Sequence, residues 1–398
     1  MSRNVPKLRF KGFEDEWKEK KLINFLSESR IPGSNGSKAK KLTVKLWAKG
    51  VVPKKEIYEG SDNTKYYTRK AGQLIYGKLD FLNCAFGIVP DHLDGYESTV
   101  DAPAFDIKNI NPYFLFSKII QKNFYKRNGD IADGSRKAKR IHSDVFLNMS
   151  IKVPSLQEQE KIANFLSKVD SIIEKQEKKV QYWNSYKKGM IQKIFSQKIR
   201  FQDGNKKSYT DWEEVRLSYI LTETNNKNTG DLRVCSVSVR KGVIDQIEHL
   251  GRSFAAKDTS KYKLVKKGDL IYTKSPTGEF PYGIIKQSFL EENVVVSPLY
   301  GVFKPKNYYL GYILHSYFYY KENTNNYLYS IVQKGAKNTI NISNEVFLSK
   351  KLNLPTSTDE QIKIFNLLLS IDNIIDKENK KLEELKQWKK GLLQQMFV

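Results

Sequence analysis

Residues 153–195 read VPSLQEQEKIANFLSKVDSIIEKQEKKVQYWNSYKKGMIQKIF, and residues 354–397 read LPTSTDEQIKIFNLLLSIDNIIDKENKKLEELKQWKKGLLQQMF. After one inserted residue at Thr356, the second stretch follows the first at a constant offset of 202, so that Gly189 corresponds to Gly391. Similarity at a fixed offset is the signature of an internal repeat. The chain is therefore expected to consist of two related halves.

Both stretches carry the signals of a long helix. Each opens with a proline and an S-x-x-E capping box, at Pro154, Ser155 and Glu158 in the first copy and at Pro355, Ser357 and Glu360 in the second. Apolar residues then recur at steps of four and three, at Ile162, Leu166, Val169, Ile173, Val180, Trp183, Met190 and Ile194 in the first copy. This period of 3.5 residues, held over several heptads, predicts a coiled coil rather than an ordinary core helix.

Both apolar seams are interrupted at the same two places, by Gln176 and Lys187 in the first copy and by Glu378 and Lys389 in the second. A polar residue at a seam position costs stability but selects the alignment of the helices. An antiparallel register places Lys187 opposite Glu378 and Gln176 opposite Lys389, whereas a parallel one stacks the two lysines. We therefore predict an antiparallel pair whose register these four residues set; exposure to solvent or to a partner protein is the alternative.

The blocks on either side of the first helix also repeat, more loosely. GQLIYGK (72–78) matches GDLIYTK (268–274), and Gly87-Ile88 falls on Gly283-Ile284 at the same offset of 196. Short β-rich runs broken by Gly, Pro and Asp alternate with two aromatic-rich stretches that look like amphipathic helices, whose rings we expect in the core.

The predicted fold class is therefore α/β (α+β): two similar mixed domains separated by a pair of long helices that form an antiparallel coiled coil with a pseudo-twofold repeat. The predicted boundaries are 1–152 for the first block, 153–198 for the central helix, 199–352 for the second block and 353–398 for the C-terminal helix.

The composition points to a polyanionic partner. The 398 residues include 68 Lys and Arg against 44 Asp and Glu, a net charge of +24. Cations that neutralise phosphates release counterions, so an excess of this size favours nucleic acid. The two cysteines, Cys84 and Cys235, and the four histidines show no metal-ligand spacing, so no metal is expected. The lack of a leader or a long apolar run predicts a cytoplasmic protein with reduced thiols and no membrane contact.

An enzyme active site is not recognisable in the sequence. Residues 111–114 (NPYF) approach the (N/D)-P-P-(Y/F) motif of adenine methyltransferases but lack the second proline, and no Gly-rich turn follows a strand. The loop 33–38 fails the spacing of a phosphate-binding loop. A stand-alone DNA-modifying enzyme of the adenine methyltransferase kind and a coiled-coil adaptor remain alternatives, but neither is predicted.

The best candidates for DNA contact lie in a Gly-led basic loop, GSRKAKR (134–140), and in its copy, GAKNTIN (335–341). Arginine reads guanine and asparagine reads adenine, so an exchange of such residues at matched positions suits two readers of different sequences. The predicted DNA-binding residues of the two loops are Arg136, Lys137, Lys139, Arg140, Lys337 and Asn338. Lys78 and Lys274, matched across the repeat, suit phosphate contacts, and Arg69 and Arg240, with their neighbours Lys70 and Lys241, are weaker candidates.

These motifs resemble those of the specificity subunits of type I restriction–modification enzymes. The stretch from Pro154 is similar to the family signature P-x-x-x-E-Q-x-x-I-x-x-x-L, and the loop from Gly134 to Ile141 resembles its G-S/T-x-x-x-x-I loop. The second loop departs from the pattern at Ala336 and Ile340.

The resemblance implies a non-catalytic subunit whose two target-recognition domains each read one half of a split site on double-stranded DNA, with the helices as an antiparallel spacer. It further implies two modification subunits, which bind S-adenosylmethionine and methylate adenine, and restriction subunits, which add ATP-dependent translocation and cleavage. No cofactor is expected to bind this chain.

Overall fold

A computed structural model of the chain describes residues 5–55, 61–129, 140–253, 255–334 and 340–397. The chain divides into two units, one of Met1–Glu177 with Lys380–Val398 and one of Lys178–Asn379. Each unit thus holds one of the two blocks together with a part of each long helix.

Unit 1 contains a four-stranded antiparallel sheet, a smaller three-stranded sheet and two strand pairs. Its strands are β1 (Lys18–Lys21), β2 (Leu26–Ser29), β3 (Pro32–Asn35), β4 (Leu42–Val44), β5 (Val51–Pro53), β6 (Lys65–Thr68), β7 (Leu74–Tyr76), β8 (Phe86–Ile88), β9 (Glu97–Ser98), β10 (Ala104–Ile107) and β11 (Ser150–Val153). Its helices are α1 (Pro112–Ile119), α2 (Lys122–Gly129) and α3 (Ser143–Leu147), followed by the long helix α4 (Leu156–Phe195), which continues into unit 2. The main sheet has the order β2-β10-β7-β8, the smaller one β3-β6-β9, and the pairs are β1-β11 and β4-β5.

Unit 2 repeats the main sheet of unit 1 and the strand pair ahead of its long helix. Its strands are β12 (Glu213–Arg216), β13 (Leu221–Glu223), β14 (Cys235–Ser238), β15 (Gly242–Asp245), β16 (Lys263–Val265), β17 (Leu270–Tyr272), β18 (Ile285–Gln287), β19 (Val294–Val296), β20 (Gly301–Pro305), β21 (Gln333–Lys334), β22 (Ile340–Asn341) and β23 (Lys351–Leu354). Its helices are α5 (Gln246–Leu250), α6 (Tyr308–Tyr317), α7 (Lys321–Tyr329) and α8 (Asn344–Ser349), followed by the long helix α9 (Thr358–Met396), which continues into unit 1. The main sheet has the order β13-β20-β17-β18, the same as in unit 1, and β12 pairs with β23 as β1 does with β11. The predicted mixed α/β fold with a repeat and a pair of long helices is confirmed.

The strand pairing corrects one part of the sequence comparison between the two blocks. Tyr76 pairs with Phe86, whereas Tyr272 pairs with Ile285, so the connection between these strands is three residues longer in unit 2. The structural counterpart of Gly87 is therefore Lys286, not Gly283. The constant offset had hidden this insertion because glycine and isoleucine recur on either side of it.

The core of each unit is rich in aromatic rings that pack between the main sheet and a short helix. In unit 1 the ring of Tyr76 lies 4.6 Å from that of Phe146 on α3, and in unit 2 the ring of Tyr272 lies 4.9 Å from that of Phe347 on α8. The two aromatic-rich stretches form α1 with α2 and α6 with α7. Many of their rings are buried, as expected, among them Phe114, Phe124, Tyr312 and Phe318.

The long helices begin where the capping boxes predicted. Ser155 Oγ accepts a hydrogen bond from the backbone N–H of Glu158 at 3.3 Å, and Ser357 Oγ accepts one from that of Glu360 at 3.4 Å. These bonds satisfy N–H groups that have no partner within the first turn of a helix.

The glutamates of the capping boxes are engaged elsewhere, in a buried cluster. The Glu158 carboxylate, on a side chain 2% exposed, accepts from Arg9 Nε at 2.8 Å and from Trp17 Nε1 at 3.4 Å. Unit 2 repeats the cluster at 3.0 and 3.1 Å with Glu360, Arg200 and Trp212. Each block is thus preceded by an arginine and a tryptophan that bind the start of a long helix.

The two long helices run antiparallel within each unit and meet at a second repeated cluster. In unit 2, Lys187 Nζ lies 2.5 Å from Asp372 Oδ1, and the Tyr312 hydroxyl donates to the same carboxylate. In unit 1 the equivalent lysine, Lys389, lies 2.5 Å from Asp170, which also accepts from Tyr113. Each cluster joins both helices and the neighbouring α/β block.

The predicted pairing of the seam residues is wrong in detail. Lys187 binds Asp372, six residues before Glu378, and Glu378 Oε1 instead lies 2.7 Å from Lys179 Nζ. Lys389 likewise binds Asp170, six residues before Gln176. Registers that differ by about one heptad match apolar layers equally well, so the choice falls to polar partners. In unit 1, Asp170 lies just outside the seam and neutralises the charge of Lys389. Gln176 could only form a hydrogen bond with that lysine. That the four seam residues set the register remains a prediction.

We expect a measurable energetic coupling between Lys187 and Asp372. The Lys187 side chain is 4% exposed and that of Asp372 is 26% exposed, so Lys187→Met leaves a poorly solvated carboxylate. A double-mutant cycle with Asp372→Asn, followed by urea unfolding, should give a coupling of about 1–3 kcal/mol. The same cycle with Glu378→Gln in place of Asp372→Asn should be close to additive; the reverse ranking of the two cycles would restore the register predicted from the sequence.

Candidate nucleic-acid interface

Most residues of the two predicted reading loops lie outside the described residues. This applies to Arg136, Lys137 and Lys139 in the first loop and to Lys337 and Asn338 in the second. Arg140, the last cation of the first loop, is described: its side chain is 43% exposed, and its Nε lies 3.5 Å from Asp101 Oδ1.

The residues on either side of the first loop rest against the segment that follows β7. The backbone N–H of Ile141 donates to the Lys78 carbonyl at 3.2 Å, and the Tyr76 hydroxyl donates to the Ile141 carbonyl at 2.9 Å. On the other side, Gly129 is pressed so closely onto Leu82 that a Cβ there would come within 2.1 Å of Leu82 Cδ2. The structure thus places Lys78, the predicted phosphate contact, beside the end of the predicted reading loop.

A surface aromatic residue that the sequence did not single out lies in the same region. Trp47, 54% exposed, forms with Ala48 the tip of the β4–β5 hairpin, with left-handed φ values of 60° and 52°. Their backbone N–H groups donate to the carbonyls of Asn83 and Cys84, both at 2.8 Å. Two consecutive non-glycine residues in this conformation cost energy, which such bonds offset. An exposed tryptophan is therefore held next to the segment that supports the first loop.

Lys274, the counterpart of Lys78, has different surroundings. It is half-buried with a left-handed φ of 59°. Burial lowers the pKa of its ammonium, the charge of Lys263 adds to this, and that of Glu223 opposes it. Glu223 also accepts from Asn344 Nδ2 at 2.6 Å, next to the strand that follows the second loop. Lys274 and Lys263 therefore share the carboxylate of Glu223, which also binds Asn344 at the start of α8, an arrangement that the matching motifs alone did not predict.

Arg69 is not available to DNA, so its prediction as a weak contact is wrong. It is 1% exposed, and its guanidinium donates to Ser98 Oγ at 2.7 Å and to the carbonyls of Ser29 and Ala102 at 2.9 and 3.2 Å. Burial lowers its pKa to about 10, which leaves it charged at neutral pH. Arg69 instead fastens three separate segments of unit 1 together.

Arg240 is exposed in the turn between β14 and β15, the hairpin of unit 2 that corresponds to β4–β5. Each hairpin follows a parallel bridge to the equivalent strand, Lys41 to Glu97 in unit 1 and Val234 to Val295 in unit 2. The tip therefore carries Trp47 in one unit and Arg240 in the other. Its DNA contact remains a prediction.

The described residues contain no cluster of three His, Cys, Asp or Glu side chains suited to a metal ion. Burial raises the pKa of the thiols of Cys84 and Cys235 to about 11, which makes them poor nucleophiles. No helix in the described part of the chain has the length and apolar character needed to cross a bilayer.

The chain contains two related α/β units that share a pair of long helices. In sequence each unit has a basic loop at the matched position, so the two units present equivalent surfaces with different residues. The family model described as the type I restriction modification DNA specificity domain matches residues 102–181 and 206–387. The chain belongs to this family, which confirms the resemblance seen in the sequence.

Individual relatives agree with this assignment. The type I restriction enzyme MjaVIII specificity subunit of Methanocaldococcus jannaschii is 28% identical over 275 residues, which cover 64% of this chain and 62% of that protein. The putative MjaX specificity subunit of the same organism is 33% identical over 116 residues, which cover 27% of each chain. The chain therefore spans less than two thirds of the length of these relatives.

Solved structures with the same fold include the S subunit of a type I restriction–modification system from M. genitalium. It has a TM-score of 0.55 and 14% identity, with 99% of each chain covered. A chain from a structure on the assembly and conformational transition of the type I R-M system gives a TM-score of 0.50 at 13% identity, with 96% of this chain and 98% of that one covered.

We predict that Arg69→Met destabilises unit 1. The substitution removes the buried hydrogen bonds to Ser98, Ser29 and Ala102, so the free energy of unfolding should fall by about 3 kcal/mol. Lys70→Met, at the exposed neighbouring position, is the matched control and should be nearly neutral. Thermal unfolding checks this expectation, and equal melting temperatures for the two variants would contradict the structural role.

Proposed function

We propose that the chain is the DNA sequence-specificity subunit of a type I restriction–modification complex and has no active site of its own. The observation that carries the proposal is the duplication: two blocks of one topology sit on equivalent helix clusters but differ in their loops and hairpin tips. A scaffold kept in duplicate with divergent surfaces suits the recognition of two different sequences. Membership of the specificity family supports the same function over a stand-alone methyltransferase or a simple adaptor.

In this proposal residues 1–152 and 199–352 are the target-recognition domains, and residues 153–198 and 353–398 are the spacer. Each domain reads one half of a bipartite, asymmetric site on double-stranded DNA. The limits of α4 and α9 fall inside the proposed spacer segments, which supports these boundaries.

The catalytic steps belong to the proposed partners. Two modification subunits dock on the helices and supply the S-adenosylmethionine site, and restriction subunits supply ATP-dependent translocation and cleavage. This chain then binds no cofactor and acts in the cytoplasm, where the target DNA lies.

Base reading and phosphate anchoring are assigned to different residues. The proposed backbone contacts are Lys78 and Lys274, and Arg240 is a weaker candidate for DNA contact. The proposed base or groove contacts are Arg136, Lys137, Lys139, Arg140, Lys337 and Asn338. The bond between the Lys78 carbonyl and Ile141, at the end of the first loop, supports this division, because phosphate contacts fix the register in which base contacts are made. Trp47 adds an apolar surface suited to packing against a sugar or a base.

Exchange of one block should change one half of the target. Replacing residues 199–352 by the block of another family member, in cells that contain the modification subunit, should alter a single half-site in the methylated sequence. The reciprocal exchange of residues 1–152 should alter the other half. Methylome sequencing measures both, and a simultaneous change of both halves by one exchange would refute the modular assignment.

Substitutions at Arg136 and Lys78 should have different signatures. Arg136→Ala should cost about 1–3 kcal/mol against the correct base in one half-site. Lys78→Ala should weaken binding to all sequences alike and reduce the slope of log affinity against log salt by about one. Binding of the assembled modification complex to matched and mismatched duplexes at several salt concentrations distinguishes these effects; the same profile for both variants would rule out the division of roles.

A further inference from the structure

Unit 2 contains a buried lysine, Lys286, at a position where unit 1 has a glycine. Lys286 on β18 is 1% exposed, and its Nζ has no hydrogen-bond partner among the described residues. This Nζ lies 4.1 Å from the centre of the Tyr319 ring, and Lys187 Nζ lies 4.8 Å from the same centre. The one carboxylate bound to Lys187, that of Asp372, thus faces two ammonium groups.

The fold does not require a lysine at this position. The structural counterpart in unit 1 is Gly87, where Val51 fills the space that a side chain would need: a Cβ there would come within 2.4 Å of Val51 Cγ2. The Lys–Asp–Tyr cluster of unit 1 is formed without a second cation from this strand. An unpaired buried ammonium is costly, so its presence in unit 2 calls for a compensating partner.

The Lys286 side chain borders a cavity of about 930 Å³ within unit 2. The wall combines the tip of the β14–β15 hairpin, α6 and parts of both long helices. Its charged side chains are Lys187, Arg240, Lys241, Lys286, Asp372 and Asp376. When Lys286 is protonated, cations are in excess even though Lys241 is also paired with Glu248 at 3.0 Å. The cavity is thus an electropositive site of the size that small molecules occupy.

The other titratable groups of the wall do not cancel this excess. His315 Nδ1 accepts from the backbone N–H of Gln287 at 3.0 Å, and burial, together with the charges of Lys286 and Lys187, holds the pKa of His315 well below its usual value. Burial raises the pKa of Tyr312 and Tyr319, so both phenols stay neutral. Their rings, with that of Phe289, provide apolar surface beside the charges.

We propose that this cavity binds an oxyanion of the phosphate class, held between Lys286 and Arg240. A phosphate monoester, with close to two negative charges at neutral pH, offsets the excess, and lysine and arginine are its usual partners. The phosphate has two sources with the same chemistry, a free nucleotide and the backbone of bound DNA. The site does not depend on the function proposed above.

Binding at this site should take up a proton. Burial and the charge of Lys187 lower the pKa of Lys286 to about 7, with Asp372 opposing. An anion favours the charged ammonium and raises that pKa, so a proton is absorbed on binding at pH 8. Burial and the charge of Asp372 raise the pKa of Asp376, which also lines the cavity, so the Lys286→Met variant is needed to assign the uptake to Lys286.

The experiment is calorimetric titration of the full chain at pH 8 with sulfate, a dianion that does not titrate near neutrality, and with adenosine monophosphate. Two buffers of different ionisation enthalpy reveal the proton uptake. Lys286→Met should weaken binding by about tenfold or more and abolish the uptake. Arg240→Ala, at an exposed position that cannot disturb the core, should weaken binding as well. Lys188→Met, which removes an exposed pair with Glu322, is the control and should bind like the unmodified chain.

A parallel titration with duplex DNA separates the two sources of phosphate. If sulfate and the nucleotide do not bind, but Lys286→Met lowers DNA affinity and its salt dependence relative to Lys188→Met, the site takes a backbone phosphate. Equal binding of every ligand by the unmodified chain and Lys286→Met, or no binding of any of them, overturns the proposal. Neither result bears on the exchange of recognition blocks, so the two proposals fail independently.

Discussion

The burial of one carboxylate at the start of each long helix is the constraint on which the rest of the structure depends. Glu158 and Glu360 are buried charges, and each is stable only while its arginine and tryptophan are in place. The arginine and tryptophan precede the first strand of a block, and the helix follows its last strand, so the cluster closes each block upon itself. The β1–β11 and β12–β23 pairs lie directly beside these clusters in sequence. The orientation of a block on its helix is therefore fixed by electrostatics as much as by packing.

Features with a local cause were predictable from the sequence. The capping serines, the length of the helices, the repeat and the aromatic cores follow from periodicity and from residue preferences within a few positions. The polar partners of the helices were not predictable in the same way. A heptad pattern is nearly unchanged by a shift of one heptad, and Asp170 and Asp372 lie just outside the seam that the pattern defines. Their tyrosine partners come from distant helices, which no spacing rule connects to them.

The candidate interface was predicted in part, for similar reasons. Repetition drew attention to Lys78, whose carbonyl binds the end of the first loop, and its phosphate contact remains a prediction. The prediction for Arg69 was wrong because it rested on charge alone. The sequence does not show whether a long cationic side chain is exposed to solvent or hydrogen-bonded to three buried acceptors. Trp47 was not predicted because the sequence gives no sign of the turn that exposes it. Left-handed hairpin turns usually contain Asn-Gly or Gly-Gly, whereas this turn contains Trp-Ala. Lys286 was not recognised as the counterpart of Gly87, because the sequence comparison aligned the two blocks without a gap and missed a three-residue insertion.

The discontinuous make-up of unit 1 has a consequence for the order of events on the ribosome. Unit 2 is one continuous stretch, whereas unit 1 needs the last residues of the chain: the ring of Phe397 packs at 5.2 Å on that of Phe114, and the Gln395 carbonyl accepts from the Leu8 N–H at 2.9 Å. Unit 1 is begun first during synthesis, but it can be completed only after all of unit 2 has been synthesised. Until residues 380–397 have been synthesised, part of the apolar surface of the first block stays uncovered, so a stop codon shortly after residue 379 leaves unit 2 complete and destabilises unit 1.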